Sequence, residues 1–374
     1  MRIGFDAKRL FNNFTGLGNY SRFVADALAA YYPEHEYLLY TPRIKNHPET
    51  KAYLQTNRFV VRQPESGPAK RLPAWWRSYA LGNVAAADGV QIFHGLSNEL
   101  PLTKPAALKT VLTVHDLIFK RFPGYYNPID VRIYGWKLKH ACQSADLIVA
   151  VSQQTAADLH EFMGVPANKL RVIYQGCHPA FKRVATDEEK KRVKAAHQLP
   201  DEYVLFVGTL EERKNAVQLV KAASLLKTKA PVVLVGRATP YMRKIGHAIK
   251  QFGMEDQVRV LHGVLFNDLP AVYQQASVFV YPSVFEGFGI PIVEAIVSGV
   301  PVITSHGSCF AEAGGPATRY VNPTRADELA TQIDELLGSA ELRKEIVAKS
   351  QAYVKHFEPS VIAERLMQQY TQLI

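Results

Sequence analysis

Long hydrophobic runs and cysteines are both scarce in this sequence of 374 residues. No apolar run approaches the roughly 18 residues that a membrane-spanning helix needs, so the sequence predicts no membrane span. Its opening residues, MRIGFDAKRLF, lack the apolar core of a signal peptide. The three cysteines, Cys142, Cys177 and Cys309, are widely spaced and fit neither a disulfide framework nor a zinc site. We therefore expect a protein of the reducing cytoplasm.

Repeats, low-complexity tracts and a complete dinucleotide fingerprint are also missing. The segment KRLFNNFTGLGNY follows a predicted strand and carries Gly16 and Gly18, but Ser21 stands where the last glycine of GxGxxG belongs. This departure argues against a dehydrogenase. A plain strand-to-helix turn is the simpler interpretation of the segment, and a ligand-binding loop is the alternative.

Charge is unevenly distributed along the chain, which has a formal net charge of +10. Residues 1–180 contain 21 Lys and Arg against 13 Asp and Glu, whereas residues 181–374 contain 23 against 21. A basic first half favours an anionic surface or a polyanionic partner. Because no nucleic-acid recognition motif is present, we do not expect nucleic acid to be that partner.

Short apolar runs alternate with helical patterns along the whole chain, which predicts an α/β fold with doubly wound parallel sheets. The length suits two domains. Because a charged stretch, 183–202, separates two series of strands, we predict domains of residues 1–180 and 181–358. Strands are predicted at 2–7, 36–41, 59–62, 90–94, 109–115, 145–152, 169–174, 203–208, 231–236, 258–262, 278–281 and 300–304. Helices are predicted at 20–31, 153–161, 215–226, 326–357 and 359–374.

The segment SVFVYPSVFEGFGIPIVEAIVSGVPVIT, residues 277–304, predicts a strand, a glycine-rich loop, a helix and a second strand. Glu286 lies on the loop and Glu294 one turn inside the helix, so the two acids could hold two parts of an elongated ligand. Backbone N–H groups near Gly289 and Ile290 favour an anionic or hydroxyl-rich ligand. The alternative is a solvated Glu294 beside a plain turn. The apolar residues around Glu294 argue against it.

Two further strand ends carry polar residues that could act on a ligand. The loop TLEERKN, after the strand at 203–208, holds Arg213 and Lys214, which could neutralise a diphosphate. The alternative is a solvated basic pair beside neighbouring glutamates. His115 ends the strand at 109–115 and is followed by Asp116. A lone histidine is more often a structural partner, but its place at a strand end favours a functional role.

Aromatic and basic residues interleave in KRLPAWWRSYAL, residues 70–81. This pattern suits contact with an anionic membrane through residues 68–82, with Trp75 and Trp76 at the interface. It suits equally a helix that buries its aromatic residues in the domain core. The sequence leaves both interpretations open.

EGFGIPIVEA resembles the signature of the retaining glycosyltransferases of family 4, whose motif has two glutamates separated by seven residues, as Glu286 and Glu294 are. The resemblance extends along the whole chain. It implies the GT-B fold, two Rossmann-like domains facing a central cleft. The last helix, 359–374, would pack back on the first, acceptor-side domain, and the second domain would bind a nucleotide-sugar. The implied reaction moves a sugar from a nucleotide diphosphate-sugar to an acceptor hydroxyl with retained anomeric configuration.

The resemblance also assigns roles to individual residues. His115, Glu286, Arg213 and Lys214 are the implied catalytic residues, with the two cations stabilising the leaving diphosphate in place of a metal. No Asp-x-Asp pair, which the metal-dependent alternative fold would use, occurs in the sequence. Thr209 stands where many relatives have an arginine. The implied donor-binding residues are Gly16, Gly18, Thr209, Val264, Leu265, Phe288, Gly289, Ile290 and Glu294.

The resemblance favours mannose, and next glucose, carried by GDP or UDP as a substrate and not as a cofactor. The acceptor would be a carbohydrate or a lipid-linked molecule in polysaccharide or lipopolysaccharide assembly. We expect the protein in the cytoplasm, with peripheral contact to the inner face of the membrane as an open possibility. A nucleotide-sugar epimerase of the same fold and a non-catalytic sugar-binding protein remain as alternatives.

Overall fold

A computed structural model describes residues 1–65 and 70–374, and within these ranges the strands form two parallel sheets. The first sheet has seven strands in the order β3-β2-β1-β4-β5-β6-β7. All of its neighbouring strands are parallel, as the alternation of strands and helices predicted. In chain order the strands are β1 (Arg2–Asp6), β2 (Glu36–Tyr40), β3 (Val60–Arg62), β4 (Ile92–Gly95), β5 (Lys109–Val114), β6 (Leu147–Ala150) and β7 (Leu170–Val172).

Helices cover both faces of this sheet. Successive residues of a strand point to opposite sides, so a strand with apolar residues on both sides needs cover on both faces. Val111 of β5 packs in one hydrophobic cluster and Leu112 in the other. A π-helical turn, Trp76–Ala80, joins two of the helices. The α-helices are α1 (Lys8–Asn12), α2 (Gly16–Tyr31), α3 (Pro48–Leu54), α4 (Pro73–Trp75), α5 (Leu81–Ala87), α6 (Ile118–Arg121), α7 (Pro128–Ser144) and α8 (Gln153–Met163).

The second sheet has six parallel strands in the order β10-β9-β8-β11-β12-β13. They are β8 (Val204–Val207), β9 (Val232–Val235), β10 (Val258–Leu261), β11 (Val278–Tyr281), β12 (Val302–Ser305) and β13 (Arg319–Val321). The accompanying helices are α9 (Asp187–His197), α10 (Ala216–Ala223), α11 (Met242–Gln251), α12 (Leu269–Gln274), α13 (Ile290–Val297), α14 (Phe310–Gly314), α15 (Ala326–Gly338) and α16 (Ala340–Tyr353). Two doubly wound, Rossmann-like α/β domains are thereby confirmed.

The chain divides into two compact units. Met1–Gly176 and Phe357–Ile374 form unit 1, and Cys177–His356 forms unit 2. The last helix, α17 (Pro359–Leu373), therefore belongs to unit 1, where it packs against α2. The charged stretch that guided the predicted division folds largely as α9, which begins with a capping box made by Thr186 and Glu189.

Two local predictions were wrong in detail, and a segment whose interpretation was left open divides between core and surface. Helix α2 begins at Gly16, so the two glycines lie in its first turn and not in a loop before it. The predicted helix at 326–357 is divided at Ser339, whose side chain accepts a hydrogen bond from Leu342 N and caps α16. The tryptophans are separated: Trp76 is buried at 3% exposure, whereas Trp75 is 46% exposed. Residues 68 and 69 of the predicted membrane-contact segment lie outside the described residues.

Each sheet has one place where the strand order reverses. In unit 1 this switch point lies between β1 and β4, and in unit 2 between β8 and β11. Ligands of open parallel sheets bind at such points, outside the carboxyl ends of the strands, because the loops there diverge to opposite faces. The loops after these four strands are therefore the first places to look for a site. In the two described ranges, no helix is long and apolar enough to cross a membrane.

Docking of α17 on the first unit yields a stability prediction. Leu366 of this helix is fully buried in the cluster that also contains Val24 of α2. We expect Leu366→Ala to lower the free energy of unfolding by about 2–5 kcal/mol, since it removes buried methyl groups and leaves a cavity. Urea denaturation measures the change, with exposed Glu364→Ala as the control. Equal stability of the two variants would contradict packing of α17 in the core.

Candidate active site

A buried ion cluster lies at the switch point of unit 2. Glu286 follows β11 and is 8% exposed, and Arg213 and Lys214 follow β8. One carboxylate oxygen of Glu286, Oε2, lies 2.6 Å from an Arg213 guanidinium nitrogen, and the other, Oε1, lies 3.0 Å from Lys214 Nζ. The three residues that were predicted to be catalytic in this half of the chain are thus in direct contact.

Two hydroxyl groups complete the surroundings of the Glu286 carboxylate. Tyr281 Oη and Ser283 Oγ donate hydrogen bonds to Oε1, at 2.9 and 2.8 Å. Lys214 also donates to Tyr281 Oη. Sequence reasoning missed both hydroxyl residues, although they stand at the end of β11 and just after it, where a strand-end signal could have identified them. The carboxylate is held by two cations and two hydroxyls, so its position is well determined.

These contacts set the charge state of Glu286. Burial alone would raise its pKa, but the charges of Lys214 and Arg213 outweigh burial and lower the pKa to about 2. The same pairing raises the pKa of Arg213 despite burial of its guanidinium. Glu286 and Arg213 are therefore both charged at neutral pH. The stabilisation that they provide is present above the usual glutamate pKa of 4.5 and is lost as the pH falls through about 2.

The loop between β12 and α14 supports the backbone of Glu286. Ser308 Oγ accepts a hydrogen bond from Glu286 N at 3.3 Å and lies 3.0 Å from Glu286 O, to which it can donate. Cys309 Sγ also donates to Glu286 O, at 3.2 Å. Ser308 has a φ of 48°, a left-handed conformation that is uncommon outside glycine. Nothing in the sequence pattern signalled this support.

Glu294 occupies α13, which begins next to the Glu286 loop. Gly289 precedes the helix with a φ of 96°, a conformation that glycine adopts without strain, and Ile290 is the first helical residue. Pro291 has no N–H, and Ile292 N donates to Gly289 O at 2.9 Å, so the N–H of Ile290 is the first-turn group that could meet an anion or a hydroxyl. Phe288, just before Gly289, is 3% exposed and belongs to the core.

The side chain of Glu294 differs from that of Glu286 in its charge state. Tyr273 Oη donates a hydrogen bond to its carboxylate at 3.0 Å. Burial raises the pKa of Glu294 to about 7, a shift that the Tyr273 hydrogen bond and the more distant charge of Lys214 only reduce. Glu294 is therefore not a solvated helix residue, and it changes its protonation state near neutral pH.

Three other predicted donor-binding residues of unit 2 lie on the loops after β8 and β10. Thr209 follows β8, and its carbonyl accepts a hydrogen bond from Glu211 N at 2.9 Å. Val264 and Leu265 follow β10 at the edge of the sheet, where Leu265 is 68% exposed and its carbonyl accepts from Asp268 N. None of these three residues has a described contact with the Glu286 carboxylate.

In unit 1, His115 comes directly after β5 and is buried. Its Nε2 donates to Leu96 O at 2.9 Å, and Gln175 Nε2 donates to its Nδ1 at 3.2 Å. Burial lowers the pKa of His115 to about 4, so the imidazole is neutral at pH 7. Both imidazole nitrogens of His115 are therefore engaged in hydrogen bonds within unit 1.

The predicted glycine segment of unit 1 is a tight turn built around Asn13. Its side-chain oxygen accepts hydrogen bonds from Thr15 N at 2.9 Å and from Gly18 N at 3.2 Å. A Cβ atom at Gly18 would lie 1.7 Å from Asn13 O, so only glycine fits there. A Cβ at Gly16 would meet no atom within 4 Å, and Gly16 is exposed. Only Gly18 is required by the local packing.

Across residues 1–65 and 70–374, no group of three or more His, Cys, Asp or Glu side chains is arranged to hold a metal ion.

The raised pKa of Glu294 yields a pH-dependent prediction. Its folded-state pKa of about 7 exceeds the usual 4.5, so the unfolded chain loses this proton first and rising pH favours unfolding. We expect Glu294→Gln to be more stable than the parent protein at pH 8, by on the order of 2 kcal/mol, and equally stable near pH 4. Urea denaturation across this range measures the difference, with exposed Glu255→Gln as the matched control. A pH-independent difference would contradict the assigned titration.

The amino-acid sequence matches two protein-family models and several known glycosyltransferases. A model described as "Glycosyltransferase Family 4" matches residues 14–181, and one described as "Glycosyl transferases group 1" matches residues 187–353. O-antigen chain mannosyltransferase B of Escherichia coli is 29% identical over 373 residues, which cover 96% of each chain. The serotype-specific mannosyltransferase WbdA of Escherichia coli is 27% identical over 314 residues, which cover 80% of this chain but 38% of that longer one.

Among solved structures, Anabaena HepE in complex with UDP and glucose superposes with a TM-score of 0.76. It covers all of both chains at 18% sequence identity, a level that establishes a common fold. The two family models leave unmatched only the chain ends and the short segment 182–186 between them, which lies close to the division between the two units. The chain therefore belongs to the glycosyltransferases of the GT-B fold, with a family 4 first half and a group 1 second half.

Proposed function

We propose that this glycosyltransferase moves a hexose from a nucleotide diphosphate-sugar to an acceptor hydroxyl with retention of anomeric configuration. The observation that carries the proposal is the Glu286–Arg213–Lys214 cluster at the switch point of unit 2. It combines cations for a leaving diphosphate with a carboxylate for sugar hydroxyls. Unit 2 is thus proposed as the donor-binding domain and unit 1 as the acceptor domain.

Arg213 and Lys214 are proposed to stabilise the departing nucleoside diphosphate. Preorganised cations in a partly dry site stabilise developing charge more strongly than solvated ones, because they need no reorientation during the reaction. Their side chains are only 12% and 13% exposed. The N–H groups at the start of α13 add to the same positive field. This arrangement supports departure of the diphosphate without a metal ion.

Glu286 is proposed to hold hydroxyls of the transferred sugar. Its low pKa keeps it an acceptor at all working pH values, and carboxylate oxygens accept strong hydrogen bonds from hydroxyls. Two cations and two hydroxyls already engage this carboxylate, which makes it a poor nucleophile. We therefore do not assign it a covalent glycosyl intermediate of the glycosidase type. Instead, a leaving phosphate oxygen is proposed to help deprotonate the acceptor on the same face of the sugar.

The nucleoside is assigned to neighbouring residues of unit 2. Glu294 is proposed to accept hydrogen bonds from the ribose hydroxyls, which favour its ionised form and would lower its pKa from about 7. The backbone after β10, at Val264 and Leu265, is proposed to hold the base. Mannose carried by GDP or UDP is favoured because relatives are named mannosyltransferases, with glucose next. The same names favour a role in polysaccharide or lipopolysaccharide synthesis.

Replacement of one of the two cations should weaken diphosphate binding and slow transfer without unfolding the protein. We expect Lys214→Ala to lower the transfer rate at least about a hundredfold and to weaken binding of the free nucleoside diphosphate, since it removes a charged partner in a dry site. Arg213→Ala should be impaired less, and Glu286→Ala should abolish transfer. Labelled GDP- and UDP-sugars with carbohydrate and lipid-linked acceptors measure transfer, and calorimetry measures nucleotide binding. Lys244→Ala, which removes an exposed lysine of unit 2, is the matched control.

The same incubations can contradict the proposal. Near-normal transfer by Glu286→Ala, or strict dependence on a divalent ion, would overturn the assigned mechanism. Conversion of the nucleotide-sugar to an isomer without any acceptor would indicate an epimerase. Sugar binding with no turnover of any donor would indicate a non-catalytic binding protein.

Peripheral membrane contact at the inner face is a second, separable part of the proposed function. Leu72, Trp75 and Tyr79 are 56%, 46% and 48% exposed and recur at helical spacing, beside exposed Lys70 and Arg71. Apolar side chains flanked by cations are typical of segments that lie on anionic membranes. Trp76, in contrast, is in the core and takes no part.

We expect the parent protein to bind vesicles of anionic lipid, with binding that falls as salt screens exposed charges. Trp75→Ala combined with Leu72→Ala should reduce that binding several-fold, because interfacial apolar burial is lost. Leu225→Ala, which removes a leucine of unit 2 with 51% exposure, is the control. Vesicle sedimentation at low and high salt measures the effect. Equal vesicle binding by the double variant and the control would contradict the proposed membrane contact but not the proposed transfer reaction.

A further inference from the structure

Three helices cover one face of the sheet of unit 2, and their charges are sorted by sign. Helix α10 packs against both α11 and α15. Because α11 joins β9 to β10 whereas α15 packs against β11, β12 and β13, α10 lies between the other two helices. Helix α11 contains three Lys and Arg residues and no acid, whereas α15 contains four acids and no Lys or Arg. This face of unit 2 is therefore basic along one side and acidic along the other.

The outward stripe of α11 consists of Arg243, His247 and Lys250, all of them exposed. They recur at positions i, i+4 and i+7, opposite to the side on which the helix is buried. Lys244, at the flank of the stripe, already pairs with Glu212 of the same unit. In the part of the chain that the structure describes, the side chains of Arg243 and Lys250 form no ion pair. Two cations of this stripe are thus open to an outside partner.

The outward stripe of α15 carries the opposite charge. Asp327 and Glu335 are exposed and lie a little more than two turns apart, opposite to the buried side of the helix. Asp327 pairs with Arg325, but these side chains are 61% and 60% exposed, so water screens the pair and it contributes little. Among residues 1–65 and 70–374, the side chain of Glu335 has no ion pair.

The two stripes match in length and in position. Arg243 and Lys250 are seven residues apart, and Asp327 and Glu335 are eight apart, which corresponds to about 10 and 12 Å along a helix axis. Each stripe begins at the second residue of its helix, and each helix follows the carboxyl end of a strand, β9 for α11 and β13 for α15. The opposite charges therefore lie at similar heights above the same edge of the sheet.

We propose that the face formed by α11, α10 and α15 docks a second copy of this chain in a two-fold symmetric dimer. In such a dimer each contact occurs twice, with the roles of the copies exchanged. A two-fold axis parallel to α10 places α11 of each copy against α15 of the other without a shift along the helices. Arg243 then meets the partner's Asp327, and Lys250 meets the partner's Glu335. An axis across the helices would instead place α11 against α11, where like charges repel.

Net charge favours a second copy over a polyanion as the partner. The three helices together carry four Lys and Arg residues and four acids, so two copies of this face meet without net repulsion, although the whole chain has a net charge of +10. A nucleic acid would be attracted by α11 and repelled by α15.

The size of the face predicts a weak dimer. A helix of 13 residues is about 20 Å long, and three neighbouring helices about 10 Å apart span about 30 Å, so the face measures about 600 Å² per copy. A total of about 1,200 Å² is at the lower limit of specific interfaces. Because its attraction comes from exposed charges, the dimer should dissociate as salt screens them.

Charge reversal tests the pairing from both sides. We expect Arg243→Glu with Lys250→Glu, and separately Asp327→Lys with Glu335→Lys, each to weaken self-association at least about tenfold, because every proposed pair becomes a repulsion. An equimolar mixture of the two variants should associate again, since each contact of α11 with α15 then joins opposite charges. Sedimentation velocity at low salt and at about 0.5 M salt measures association.

The matched control is Lys51→Glu with Lys191→Glu, which reverses two exposed lysines of α3 and α9 outside this face and should leave self-association unchanged. Thermal unfolding checks that each variant is folded, and the single changes Lys250→Glu and Glu335→Lys replace a double variant that is not. A parent protein that stays monomeric up to about 0.1 mM at low salt, equal loss of association in the control, or a mixture that remains monomeric would overturn the proposal.

Discussion

The contact of Glu286 with Arg213 and Lys214 is the interaction on which the site of unit 2 depends. Each of these charges is largely withdrawn from water, and a buried charge without a partner is strongly destabilising. The pairing therefore ties the loop after β8 to the loop after β11. Because it joins the two strands that flank the switch point, the same contact that stabilises the charges also places them where parallel sheets bind ligands.

Support for this contact comes from residues that do not bear charge. Ser283 and Tyr281 share one carboxylate oxygen, and Ser308 and Cys309 hold the peptide of Glu286 from a third loop. Glu294, only one helical turn away from that loop, has a single hydroxyl partner and keeps its proton to about pH 7. Two glutamates of one motif thus differ in charge state because two cations outweigh the effect of burial on the pKa of Glu286, whereas burial dominates the pKa of Glu294.

The sequence predicted the strands well because buried parallel strands are short apolar runs between turn residues, as Val278–Tyr281 is. It also predicted polar residues at the ends of such runs, and Arg213, Lys214 and Glu286 of that set are in contact in the structure. It failed where the determinant is distant in the sequence. Trp76 is buried by contacts across the first unit, and the partners of Arg77 are 71 and 22 residues away. Periodicity within one segment carries no information about such partners.

The two switch points show how one architecture acquires different chemistry. At both, an acid from one loop meets a cation from another element, because loops that diverge from neighbouring strands leave space there for polar side chains. In unit 2 the cations lie on the loop after β8, where Arg213 contacts the carboxylates of Glu286 and Glu211. In unit 1 the cation is supplied from the helical segment after α4 and is enclosed by two carboxylates. The two switch points therefore differ in the element that supplies the cation, a strand-end loop in unit 2 and a helical segment in unit 1, and the polar contacts of each one join that element to the loop after the neighbouring strand.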